Sequence, residues 1–176
     1  GDCVDGKCVC YPDFTDEDCR TNMSASPLVA TDLSKDSLCD AGQGDCNNPS
    51  VYCENFVNSA QSKCKVETAQ LVNGTIQSTG SSYTTSPQLQ NFAEVKCPIT
   101  SSRRKRSTGD STTPTVYLIS LSNNGEEFSA SVPVILYDSS CLTCTTNESL
   151  VICELRSDIC IVSGFCYSDN STACNP

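Results

Sequence analysis

Fifteen cysteines in 176 residues constrain this chain more than any other feature. Cysteine contents of about 8–10% mark chains whose shape is held by disulfides. Here the cysteines crowd towards the two ends and thin out in the middle. Aromatic residues make up only 6% of the chain and tryptophan is absent, so the ends cannot assemble much apolar core. Small modules of that kind rely on covalent cross-links in place of burial. A zinc protein would need paired C-x2-C knuckles or histidines, but only Cys141 and Cys144 have that spacing and there is no histidine. The residues therefore predict oxidised cysteines, no metal site and no cofactor, in a chain that folds outside the cytosol.

Asparagine sequons point the same way. Asn22-Met-Ser, Asn73-Gly-Thr, Asn147-Glu-Ser and Asn170-Ser-Thr each fit N-x-S/T in a polar stretch, and they are candidate N-glycosylation sites of a secreted, extracellular protein. No apolar run approaches the length of a membrane span, so no membrane insertion is expected, and the export signal is expected upstream of this segment. The formal net charge is −10. An acidic surface disfavours nucleic acid and anionic membranes, both of which need a basic face.

The cations that do cluster are Arg103, Arg104, Lys105 and Arg106, followed by Ser107. A basic tetrad before a small residue resembles the processing site of furin-type convertases, and its flanks are polar, as protease access requires. A heparin-binding patch and a nuclear import signal are the competing readings; the disulfides and sequons argue against import.

Catalysis finds little support. Without histidine neither a Ser/His/Asp nor a Cys/His arrangement can form, and the carboxylates gather in turns such as Asp13, Asp16, Glu17 and Asp18, which read as solvated and not as a calcium site. No enzyme activity is expected.

Along the chain, Cys3, Cys8, Cys10 and Cys19 follow the spacing C-x4-C-x-C-x8-C with Phe14 between the last two. This resembles the second half of an EGF-like module. The resemblance implies that Cys10 pairs with Cys19, while Cys3 and Cys8 pair with cysteines outside the chain or at its far end. Joining the tail to the head would supply two cysteines ahead of the half module, which suggests one repeat of a tandem array or a head-to-tail filament.

Residues 21–37 are Ser-, Thr- and Asp-rich and read as a linker. From 38 to 138, strand-like alternation recurs at Val51–Phe56, Lys63–Val66, Ala93–Pro98, Val116–Leu121 and Phe128–Tyr137, which suggests a β-sandwich. Asn124-Gly125 is the expected hairpin turn between the last two, and Pro133 is expected at an edge or bulge. The series Lys63-Cys64-Lys-Val, Val95-Lys-Cys97-Pro and Val116–Tyr137 resembles an immunoglobulin-like domain of the IPT/TIG kind, with a cleavable loop near 99–114. That resemblance implies a Cys64–Cys97 bridge. Residues 139–176 form a Cys-rich knot, and the run Tyr137-Asp-Ser-Ser-Cys141-x-x-Cys144 followed by Cys160-Ile-x-x-Gly-x-Cys166-Tyr resembles the von Willebrand factor D and EGF domain-containing proteins. Cys53 stands where that family is usually apolar, and the connectivity of the remaining cysteines stays open.

The expected fold is mainly β: an immunoglobulin-like sandwich over 38–138, with half an EGF-like module over 1–20 before it and the disulfide knot behind. The function this implies is a non-catalytic extracellular structural or adhesion segment, cut after Arg106 by a furin-type protease. Its partners would be proteins, including copies of itself joined by strand complementation or interchain disulfides. The alternative is a receptor or ligand ectodomain that binds a single protein partner.

Overall fold

The computed structural model describes residues 1–15, 17–43, 46–100, 112–147, 150–163, 165–169 and Cys174. Strands dominate throughout, and the fold is mainly β. At the N-terminus β1 (Asp2–Val4) and β2 (Lys7–Val9) are joined by Asp5 and Gly6, at φ of 49° and 78°. Two successive positive φ values are what a two-residue hairpin loop of matching twist requires. The register sets Cys3 directly opposite Cys8. A second small hairpin pairs β3 (Phe14–Thr15) with β4 (Thr21–Asn22), and the Cys10–Cys19 bridge closes the segment that contains β3.

The stretch 21–37 is not a free linker. Pro27 is fully buried, and β5 (Leu28–Val29) is hydrogen-bonded into the sheet that follows. A 3-10 turn at Lys35–Ser37 then leads into β6 (Leu38–Asp40) and β7 (Ser50–Glu54), with the Cys39–Cys46 bridge between them. The long hairpin β8 (Lys63–Val72) and β9 (Thr75–Thr85) turns on Asn73 and Gly74, again both at positive φ. Then come β10 (Gln88–Asn91), β11 (Glu94–Lys96), β12 (Thr115–Ser122) and β13 (Val132–Tyr137).

These strands make two sheets, one ordered β10-β11-β7-β5 and the other β6-β13-β12-β8-β9. All pairings are antiparallel except β6 with β13. The sheets share one apolar core: Val51, Cys53, Val95 and Cys97 come from the first or its margin, and Cys64, Val66, Ile119, Leu121 and Val134 from the second. In β7, buried Val51 and Cys53 alternate with exposed Tyr52 and Glu54, the pattern of a sheet with one face in water.

The other sheet is covered on both faces at its centre. Along β12, Tyr117, Ile119 and Leu121 enter the shared core, while Val116 joins Ala69, Ile135 and Val151 in a second cluster on the opposite face. That is why β12 reads as a nearly unbroken apolar run: a central strand has no solvent side. Pro133 is opposite Leu118 in β13, short of the Ile135–Tyr137 segment that β6 pairs. The missing N–H therefore falls where β13 has one neighbour.

The expected tight turn at Asn124-Gly125 is corrected. Residues 123–131 separate β12 from β13; Gly125 takes φ of 82°, whereas Asn124 works through its side chain. Its Oδ1 accepts from the backbone N–H of Glu126 and of Glu127, each at 2.9 Å. This is a local Asx-type cap, and the extra residues let the chain carry Asn123 into the interior.

The tail holds two hairpins, β14 (Leu142–Asn147) with β15 (Leu150–Leu155) and β16 (Ile159–Val162) with β17 (Phe165–Ser168). Val151 of β15 is fully buried against the outer face of the five-stranded sheet, and its N–H donates to the carbonyl of Gly74 at 3.1 Å.

Candidate functional site

The features with chemical meaning are the cysteine framework, the sequons and the basic tetrad. Among the described residues six disulfides form: Cys10–Cys19, Cys39–Cys46, Cys64–Cys97, Cys141–Cys166, Cys144–Cys153 and Cys160–Cys174. Cys64 is the second residue of β8 and Cys97 directly follows β11, so their bridge ties the two sheets across a fully buried core. With a sequence separation of 33, closing that loop stabilises the fold by about 3–4 kcal/mol in the chain-entropy picture.

In the tail, Cys144 and Cys153 face each other across β14 and β15, while Cys141–Cys166 joins the first hairpin to the second. All six tail cysteines are consumed within the tail. The expected junction of head and tail therefore has no tail sulfur to offer. Cys3 and Cys8, expected to reach outside the chain, are placed opposite each other in the β1–β2 register. Each of the six bridges closes on one side of the segment 101–111 and none spans it.

Cys53 has no disulfide partner and is buried in the shared core. Burial disfavours the thiolate and pushes the thiol up to about 11. It behaves as a small apolar residue at this position.

Three of the four sequon asparagines are among the described residues. Asn73 is exposed at the tip of the β8–β9 hairpin, and Asn147 is exposed at the end of β14, opposite Leu150. The hydrogen bond from Val151 to Gly74 brings these two hairpins together, so both sequons stand at one end of the molecule beside a groove of about 950 Å³ lined by Leu71, Asn73, Thr113, Leu150 and Ile152. Asn22 is half-buried in β4, where its Oδ1 accepts from the N–H of Ser24 at 2.9 Å. Asn170 lies outside the described residues, as do Asp16 and the tetrad Arg103, Arg104, Lys105 and Arg106 with Ser107.

Sequence reasoning missed two polar anchors. Asn123 is buried; its Nδ2 donates to the carbonyls of Ala25 at 3.0 Å and Asn55 at 2.9 Å, and its Oδ1 accepts from the N–H of Val57 at 2.9 Å. Asp40 accepts from the N–H groups of Gly42 at 3.0 Å and Ser139 at 3.2 Å. Partial burial raises the Asp40 carboxyl, but the hydrogen bonds from Ser139 and Gly42 outweigh it and hold the group below its ordinary value. The Asn123 turn and the Asp40 junction are invisible to periodicity because the partners of Asn123, and Ser139 of the Asp40 pair, come from residues far away in sequence.

No protein-family model matches the chain, and no solved structure matches it. Among the described residues no group of three or more His, Cys, Asp or Glu side chains is placed to hold a metal ion. No helix among them is long and apolar enough to cross a membrane. The many disulfides are consistent with an extracellular protein.

Proposed function

We propose that the chain is a non-catalytic extracellular structural or adhesion segment in which an immunoglobulin-like sandwich of the IPT/TIG kind is flanked by half an EGF-like module and a disulfide-rich knot. The observation that carries this reading is the strand order. The order β5, β7, β11 and β10 can be read as A, B, E and D of an immunoglobulin-like domain, with β13, β12, β8 and β9 as G, F, C and C′ on the other sheet, which supports the reading. The inter-sheet bridge departs from the B-to-F position of antibody domains: it joins the start of C to the end of E, and the B-strand cysteine, Cys53, stays reduced.

A scaffold role fits a molecule whose rigidity is covalent. Glycans on Asn73 and Asn147 keep one end of it solvated, and a furin-type protease cuts after Arg106. Intact mass of the secreted protein, before and after reduction and glycan removal, tests the reading. The expected result is at least six bridges, occupied sequons and two fragments ending and beginning at Arg106 and Ser107. Labelling of most cysteines by a thiol dye in the native protein overturns it.

A further inference from the structure

From Thr68 to Ala93 the sequence contains no Asp, Glu, Lys or Arg, in a chain that is 18% charged and carries a net charge of −10. This stretch builds both β9 and β10, which are edge strands of the two sheets. Only Ser86 and Pro87 separate them, so the chain steps from one sheet to the other and both edges border the same side of the sandwich. Edge strands in soluble proteins are usually guarded by charge, proline or brevity, because their free N–H and C=O groups template pairing with another strand. β9 runs from Thr75 to Thr85 with no charge and no proline.

Its one guard is a bulge. Thr79, Gly80 and Ser81 stand opposite Thr68, with Gly80 at φ of 79°, and Thr79 Oγ1 donates to the Thr68 carbonyl at 2.8 Å. Beyond it the register is regular, Ser82 to Thr85 pairing with Glu67 to Cys64. On the β10 side, Leu89 is 40% exposed and Phe92, just after β10, is 92% exposed.

We infer that this uncharged side is a self-association surface, covered in solution by a second copy of the chain with β9 paired antiparallel to β9 across a two-fold axis. Two observations select a copy over another partner. First, the side chains offered are Ser, Thr, Gln and Asn, each both donor and acceptor, so the surface satisfies itself when placed against itself. A charged partner would find no net countercharge: the ionised groups on the neighbouring strands come in opposite signs, Lys65 with Glu67 on β8, 3.9 Å apart, and Lys96 with Glu94 on β11. Second, two molecules of charge −10 repel through every acidic face, and the charge-free side is where they approach at least electrostatic cost. Added salt, which screens that repulsion, is expected to tighten the dimer. The inference rests on strand order and charge alone and is independent of glycosylation and processing.

The test is sedimentation velocity of the oxidised, glycosylated chain over a concentration series. The wild type should pass from monomer to dimer. Ser82→Lys puts a like charge on the β9 edge of each copy while sitting opposite Glu67 in its own sheet, and it should weaken association at least about tenfold, whereas Ser157→Lys, an equal charge change on the exposed tail, should not. Phe92→Ser, which removes an exposed ring and so leaves the fold alone, should weaken association as well. A wild type that stays monomeric up to about 1 mM, a Ser82→Lys protein that associates as the wild type does, or a dimer that loosens with salt overturns the inference. None of these outcomes bears on the bridge count or on processing.

Discussion

Val151 donates its backbone N–H to the carbonyl of Gly74, which fastens the disulfide-rich tail to the tip of the longest hairpin in the sandwich. The side chain of Val151 is meanwhile fully buried among Ala69, Val116 and Ile135. The tail is therefore a lid on the second face of the five-stranded sheet and not a separate appendage. Val151→Ala should destabilise the protein by about 1–3 kcal/mol. Hydrogen exchange should show the β14–β15 hairpin opening before the shared core does.

The side chain of Asn123 makes three hydrogen bonds that join the segment before β5, the residues after β7 and the β12–β13 connection. Truncation strands the carbonyls of Ala25 and Asn55 and the N–H of Val57 where water is scarce. Asn123→Ala should cost about 2–4 kcal/mol in chemical denaturation, and Asn123→Asp should not rescue it, because a carboxylate cannot donate to the two carbonyls.

The thiol of Cys53, pushed up to about 11 by burial, should resist a maleimide at neutral pH in the native protein. In denaturant without reductant it should take up the label. Fast native labelling at this residue would contradict its place in the core. Cys53→Val should be tolerated, because the site asks only for a small apolar group.

Asp40 is expected to make stability sensitive to acid. Its carboxyl is held below the ordinary value of 3.8 in the folded protein, so the folded state favours the ionised form. The contribution is complete above the unfolded value and is lost as the pH falls through the folded one. A melting series across and below pH 4 should show a drop that Asp40→Asn removes.

How far the sequence foretold the structure depends on which face of each strand is wet. β11 and β13 fall within segments that read as strands, and β7 and β12 nearly do, because each sets at least one apolar residue on a core face; of β8 only Lys63–Val66 lies in such a segment. β9 escaped notice: Ser and Thr fill it, and only Ile76 and Tyr83 pack against an apolar cluster. Its turn, Asn73-Gly74, has the tight-turn chemistry that was sought at Asn124-Gly125. A sequon and a two-residue turn occupy the same residues, Asn73 and Gly74. β5 and β6 are too short for any period, and they exist because their neighbours' free edges accept them. Among the pairings that stayed open, Cys144–Cys153 follows from the β14–β15 register, whereas Cys39–Cys46, Cys141–Cys166 and Cys160–Cys174 each use a cysteine outside the strands; the spacing of cysteines encodes neither.

The six bridges close on either side of residues 101–111, yet β12 and β13 lie between β6 and β8 in one sheet. A severed chain would thus be a two-subunit particle with no bond between its subunits. Once melted, its recovery would become a second-order encounter, slower on dilution, and the melting temperature would rise with protein concentration, where an uncut chain shows neither effect.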